Sequence, residues 1–163
     1  MRISTVRLIL PVLGLAALVA CSDDGEEETG PDTVTFVASL SGQGEEPAID
    51  TDMTGTATFE SDGTTIQYTI TVANGTDVTL AHIHEGGAGV NGGVIVPLFN
   101  SSDSPVDVAD GTLVEGSFTA EDIVDEEISM DSLLVLMGNG GAYVNVHTTA
   151  HPAGEIRGQL GRQ

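Results

Sequence analysis

The chain has 163 residues, with 25 acidic against four basic side chains and a formal net charge of −21. Because nucleic-acid binding depends on lysine and arginine neutralising phosphates, this composition excludes a nucleic-acid-binding protein, and it also disfavours anionic substrates. The charge favours a metal cation or a basic protein as partner, or is an adaptation to high salt.

The first 20 residues are typical of a signal peptide, because Arg2 and Arg7 precede an apolar run too short to span a membrane. The run ends at Cys21 in the sequence LVAC, which resembles the lipobox of bacterial lipoproteins. We therefore predict an exported protein whose lipid on Cys21 anchors it to the cell envelope. Ser22 after the cysteine resembles the outer-membrane sorting preference, if the cell is Gram-negative. A soluble secreted protein with a chance cysteine is the alternative.

Residues 21–32 are the predicted lipidated cysteine and an acidic segment almost without apolar side chains, which predicts a disordered tether. Residues 33–163 then form one domain, in which apolar and polar residues alternate with the period of β-strands. The Asn74–Gly75 pair predicts a tight hairpin turn, and Pro97 predicts an edge strand or a bulge. The predicted strands cover residues 34–40, 53–60, 64–73, about 78–84, 94–99, 112–118, 142–147 and 155–160.

Two helical segments interrupt this pattern. Thr119 and Asp122 have the spacing of a capped helix start, and a second short helix is predicted over Met130–Met137. Many short strands with glycine-rich turns favour an all-β fold. We predict an antiparallel β-sandwich, Greek-key-like, with one or two short helices inserted before the last strands.

The four histidines lie in two segments of the chain. His82 and His84 are two residues apart on a predicted strand, so they project from the same face, and His147 and His151 follow near the C-terminus. Neutral imidazoles converging on one ion would bind copper or zinc. The sequence therefore makes these four residues candidate metal ligands, if the strands that carry them are neighbours.

Three charged residues near the histidines are candidates for supporting such a site. Glu85 and Glu155 are further ligands or hydrogen-bond acceptors that fix the histidine tautomers, and Arg157 lies on the last strand. We favour a buried polar network of the histidines with Asn145 and Arg157, which fixes strand register without an ion, and a copper or zinc site is the alternative. No placed serine or cysteine nucleophile is found, and we expect no catalysis.

The sequence resembles the chordin-type (CHRD) domain family over roughly Thr33–Leu160, and both histidine segments are part of this resemblance. The segments that carry the resemblance are Phe36–Gln43, Gly55–Phe59, Ala81–Gly86, Asn91–Val94, Tyr143–Thr148 and His151–Leu160. The resemblance implies an extracytoplasmic β-sandwich module, found in animals in secreted proteins that bind growth factors and in bacteria in exported proteins. Together with the lipobox at Cys21, the resemblance predicts a lipid-anchored binding or structural module, with a protein or a metal cation as partner.

A fainter resemblance is to the Cu/Zn superoxide dismutase family. It implies His82 and His84 as a copper-binding strand pair, with His147 as a later ligand. The glycine-rich loop after Glu85 has no histidine where the dismutases have their bridging and zinc ligands, and the single cysteine cannot form their internal disulfide.

Overall fold

A computed structural model describes residues 33–163 of the chain. The predicted signal peptide, Cys21 and the acidic tether lie outside the described residues. Within residues 33–163, no helix is long and apolar enough to cross a membrane.

The described residues form an antiparallel sheet of eight strands with one α-helix and two short 3₁₀ turns. The strands are β1 (Val34–Ser41), β2 (Thr54–Ser61), β3 (Thr65–Glu85), β4 (Val94–Asn100), β5 (Val106–Thr119), β6 (Ala142–Thr148), β7 (Ile156–Gln159) and β8 (Gly161–Arg162). The helix α1 is Met130–Asn139, and the 3₁₀ turns are Gly42–Gly44 and Ala120–Asp122. The predicted all-β class is confirmed.

Strand β3 is the longest element, and it shows that the predicted hairpin at Asn74–Gly75 is wrong. Asn74 and Asp77 adopt positive φ angles of 59° and 49°, and the register with β5 shifts between Gly75 and Val78. Such an irregularity bends a strand without reversing it. The strand continues because β5 starts earlier than predicted, and its Val106 pairs with Val78 beyond the bend.

The two halves of β3 pair with different strands, and this closes the sheet on itself. The first half pairs with β2 and β5, and the second half pairs with β4 and β6. The circuit continues from β6 to β7, from β7 to β1 at Arg157 and Ser41, and from β1 back to β2. The apolar core fills the space between the facing halves, with Phe59, Ile70 and Ile83 fully buried. This closed sheet is compatible with the predicted sandwich.

Both predicted helical segments lie before β6, as expected. Thr119 and Asp122 form the reciprocal cap that their spacing predicts, but they begin a 3₁₀ turn and not an α-helix. Helix α1 begins after Ser129, whose side chain accepts a hydrogen bond from the Ser132 amide. It ends at Gly140, which has a φ of 75° and so stops the helix in the left-handed region.

Strand β4 lies at one end of the strand order and pairs with β3 alone. Pro97 therefore has both predicted properties, because it lies on an edge strand and pairs with His82 next to a register shift. A second register shift separates Ile83 from His84. Bulges of this kind re-aim the side chains beside them.

We predict that Ile83→Ala lowers the free energy of unfolding by about 2–5 kcal/mol, because it leaves a cavity in a fully buried part of β3. Val135→Ala removes methyl groups from a side chain that is 63% exposed, and should change stability by less than about 0.5 kcal/mol. Urea denaturation followed by circular dichroism measures both. Equal losses in the two variants would contradict the assigned core.

Candidate metal centre

Strand β6 is buried on both of its faces. Val144 and Val146 belong to the apolar core, whereas Tyr143, Asn145 and His147 alternate with them and are also buried. Strands in antiparallel sheets commonly leave one face to solvent. The outer face of β6 is buried because loops fold across it, and this face carries the histidine cluster.

Arg157 holds the loop of residues 86–93 over this face. Its guanidinium donates hydrogen bonds of 2.9 Å to the carbonyls of Gly87 and Val90 and to Oδ1 of Asn91. Arg157 pairs with Asn145 across β7 and β6, and it is only 2% exposed. The loop backbone thus solvates a buried positive charge, which would be costly without such partners.

Tyr143 links Arg157 to the first histidine strand. The guanidinium carbon lies 3.4 Å from the centre of the Tyr143 ring, and the His84 ring stacks on the same tyrosine at 5.0 Å with an interplanar angle of 7°. The Tyr143 hydroxyl accepts from the Gly92 amide at 3.3 Å. His84, Tyr143 and the loop are therefore fixed as one unit.

Three histidines meet where β3 pairs with β6. Leu80 pairs with His147 and His82 pairs with Asn145, so the three rings share one face of the two neighbouring strands. The ring centres lie 4.9 Å apart for His82 and His147, 5.5 Å for His82 and His84, and 6.3 Å for His84 and His147. One nitrogen of each ring lies within 4.8 Å of the other two.

Hydrogen bonds to carbonyl groups determine which ring nitrogens are protonated. His147 Nδ1 lies 3.1 Å from the Pro152 carbonyl and His84 Nδ1 lies 3.0 Å from the Gly92 carbonyl. A carbonyl only accepts, so both Nδ1 atoms carry the proton and both Nε2 atoms have a free lone pair. His147 Nε2 then accepts from His82 Nδ1 at 3.0 Å.

The Nε2 atom of His84 is buried, and no hydrogen-bond partner for it is found among residues 33–163. A buried acceptor that lacks a donor costs roughly 1–3 kcal/mol. Metal-binding histidines are typically oriented by a hydrogen bond from the other ring nitrogen to a carbonyl or carboxylate. His84 and His147 both have this arrangement.

Burial keeps the three imidazoles neutral. It lowers the pKa of His82 to about 4, with further lowering by His147 and His84 nearby. Burial also lowers the pKa of His84 and of His147, although their bonds to backbone carbonyls oppose this effect. Neutral imidazole is the form that binds a metal.

The cluster fits a metal ion with a small movement of the side chains, once the Nδ1 proton of His82 that bonds His147 Nε2 has moved to Nε2 of His82 or been lost. Nitrogen ligands about 2.0–2.1 Å from a tetrahedral zinc ion are roughly 3.3 Å from one another. The His82 and His147 nitrogens are already 3.0 Å apart, and the widest pair of the cluster is within 4.8 Å. Three imidazoles without a thiolate suit zinc or copper.

A comparison with protein families adds to this geometry. The family model described as the CHRD domain matches residues 36–160, which include the whole histidine cluster. The chain belongs to the CHRD-domain family. The family match supports a structural or binding module. No curated protein matches the chain.

In this CHRD domain, the other predicted site residues lie apart from the cluster. His151 is on the turn after β6, and its amide donates to the Thr148 hydroxyl. Glu155 accepts 2.6 Å hydrogen bonds from the hydroxyls of Thr51 and Thr148. Glu85 is exposed at the end of β3. None of these three belongs to the group of converging nitrogens, and Arg157 supports the site only through the loop and Tyr143.

The sequence did not indicate two side chains that face the site. Glu45 follows the first 3₁₀ turn and is buried, and burial raises its pKa to about 7 although Arg157 opposes the rise. Tyr143 stacks on His84 as described above. No pattern in the loop sequence marks Glu45, because its burial depends on contacts with distant parts of the chain.

We predict that His82 makes a destabilising contribution to the metal-free CHRD domain as the pH falls from about 6.5 to 4, whereas Glu45, whose folded-state pKa of about 7 is above its ordinary value of 4.5, contributes in the opposite direction. The folded-state pKa of His82, about 4, is below the ordinary value of 6.5, so the unfolded chain binds more protons in this range. His82→Gln should therefore lose less melting temperature between pH 7 and pH 5 than the unsubstituted protein.

His151→Gln is the matched control and should keep the full pH dependence, because His151 lies outside the cluster. Glu45 titrates in all three proteins, so its contribution cancels in the comparison. Identical pH dependence in His82→Gln and the unsubstituted protein would contradict the burial of a neutral His82.

Proposed function

We propose that this CHRD domain is a metal-binding module, which holds copper or zinc through His82, His84 and His147. The observation that carries the proposal is the convergence of three neutral imidazoles, two of them buried and that of His82 half-buried, whose nitrogens lie within 4.8 Å of one another. Carbonyl groups hold Nδ1 of His84 and of His147 protonated, so both Nε2 lone pairs face the cluster; that of His147 accepts from His82 Nδ1, and an ion would replace this hydrogen bond. The role is binding, and no reaction is assigned to the site.

The free Nε2 of His84 favours a metal site over a purely structural network. In a structural network, the buried ring nitrogens would pair with one another or with the backbone. His82 and His147 do so. The Asn145 side chain lies beside His84, but its amide oxygen only accepts, and no donor to His84 Nε2 is found in the described part of the chain. An ion would use this lone pair.

Copper should bind more tightly than zinc. Sites made of nitrogen ligands generally have a higher affinity for divalent copper than for zinc, and the cluster contains no thiolate. The formal charge of −21 also attracts cations toward the protein surface.

We further propose that the module is exported and anchored to the cell envelope by lipid on Cys21. The charged start, the apolar run and the LVAC sequence support this location. The acidic residues 22–32 would then separate the domain from the membrane surface. A metal held there would face the extracytoplasmic space, together with any protein partner.

Titration with Cu²⁺ and Zn²⁺ tests the metal site. We expect protein purified without an affinity tag to bind close to one equivalent, and to gain about 2.7 kcal/mol of stability at a free metal concentration 100 times Kd. His84→Gln should lose most of this gain, whereas His151→Gln should keep it, because only His84 belongs to the cluster. Unchanged melting temperature with either metal would contradict the proposal.

Fractionation of cells tests the anchor. We expect Cys21→Ala to move the protein from the membrane fraction to the soluble fraction, because the acyl chains contribute about 0.8 kcal/mol for each buried methylene. Ser22→Ala is the matched control and should stay with the membrane. A Cys21→Ala protein that still sediments with membranes would contradict lipidation.

A further inference from the structure

A pocket of about 400 Å³ lies beside the histidine cluster and has not yet been assigned a role. Its walls come from the loop after the first 3₁₀ turn, from strand β6 and from the turn at Ala153 and Gly154. Pro47 and Ile49 provide apolar walls, and His84 is the one cluster histidine that lines it. The volume suits a small organic molecule.

Buried hydrogen-bond acceptors without partners gather around this pocket. Within residues 33–163, the buried side-chain polar atoms that lack a partner are Glu45 Oε1, His84 Nε2 and Asn145 Oδ1, and all three residues line the pocket. Their exposed fractions are 8%, 9% and 2%. Each of these atoms accepts hydrogen bonds, so the pocket favours a ligand that donates hydrogen bonds.

Gly154 allows Glu45 and Asn145 to meet at one point of the wall. Gly154 has a φ of 132°, and a Cβ there would collide with Glu45 Oε1 and lie 2.9 Å from Asn145 Nδ2. The Glu45 carboxyl and the amide nitrogen of Asn145 both lie against Gly154.

The charge of Glu45 is not balanced by a direct contact. Arg157 is the nearest cation that influences it, but the hydrogen bonds of that guanidinium go to the loop carbonyls and to Asn91. Burial raises the pKa of Glu45 to about 7, which means that ionising this carboxyl is costly without a partner. A positively charged donor would remove that cost.

We propose that this pocket binds a small molecule with a primary ammonium group. The ammonium donates to Glu45 Oε1, and an alkyl chain of a few carbons lies against Pro47, Ile49 and Ala153. A compact cation with three donors matches a pocket whose partnerless atoms are all acceptors. The strongly acidic protein raises the local concentration of such cations. This inference does not require a metal, since Glu45 and Asn145 lie outside the three-histidine group.

Saturation-transfer NMR with n-butylammonium chloride tests the proposal on the full chain as purified. We expect n-butylammonium to receive saturation from the protein, whereas n-butanol and n-butyrate at the same concentration do not. n-Butanol has the same alkyl chain and n-butyrate has an anionic group on a chain one methylene shorter, so the two controls separate recognition of the positive charge from occupation of an apolar pocket. Equal signals from butanol would overturn the assignment of an ammonium site.

Glu45→Gln keeps the size of the side chain and should weaken butylammonium binding by about tenfold or more, because a hydrogen bond to a charged group is lost. Glu60→Gln is the matched control, since it makes the same change of net charge at an exposed position on β2 and should keep full binding.

Ala153→Trp provides a second variant, because Ala153 is exposed at the pocket wall and a bulky side chain there should block entry without disturbing the core. Melting temperatures establish that each variant is folded. Butylammonium binding that survives both Glu45→Gln and Ala153→Trp would overturn the proposal. Copper uptake by Glu45→Gln should stay normal, which distinguishes failure of this pocket from failure of the metal site.

Discussion

The buried guanidinium of Arg157 is the interaction on which the functional face depends. It has been removed from water, and the carbonyls of Gly87 and Val90 together with the Tyr143 ring replace its hydration. The same contacts hold the loop whose Gly92 carbonyl orients His84. A chain with few basic residues thus uses one arginine as the internal support of its loop.

The burial that this loop produces acts in opposite directions on the acidic and basic groups beneath it. It lowers the pKa of His82 and raises the pKa of Glu45, so it favours the neutral form of both. What results is a set of lone pairs enclosed by protein: imidazole nitrogens at the cluster, and oxygens at the adjacent pocket. Both sites therefore favour cations, and a metal ion and an ammonium group are the two kinds of cation that their shapes suit.

Much of this architecture could be predicted from the sequence, because period-two alternation marks strands and places His82 and His84 on one face. The family resemblance extended the prediction to the whole domain. The hairpin predicted at Asn74–Gly75 is wrong because strand pairing overrides the local turn preference. Strand β5 supplies partners for β3 on both sides of the bend. Glu45 could not be predicted, since its burial comes from the packing of distant loops. The sequence makes Arg157 a candidate for supporting the site. Its role in holding the loop could not be predicted, because that role depends on contacts with residues 87–91.

The number of imidazole nitrogens bound to copper tests the central claim most directly. Pulsed electron paramagnetic resonance of the protein loaded with one equivalent of Cu²⁺ can count these ligands through their nitrogen couplings. We predict couplings from three imidazoles, belonging to His82, His84 and His147, which converge on one face of β3 and β6. Copper coordinated by carboxylate oxygens alone, with a spectrum that does not change in His84→Gln, would contradict the assignment.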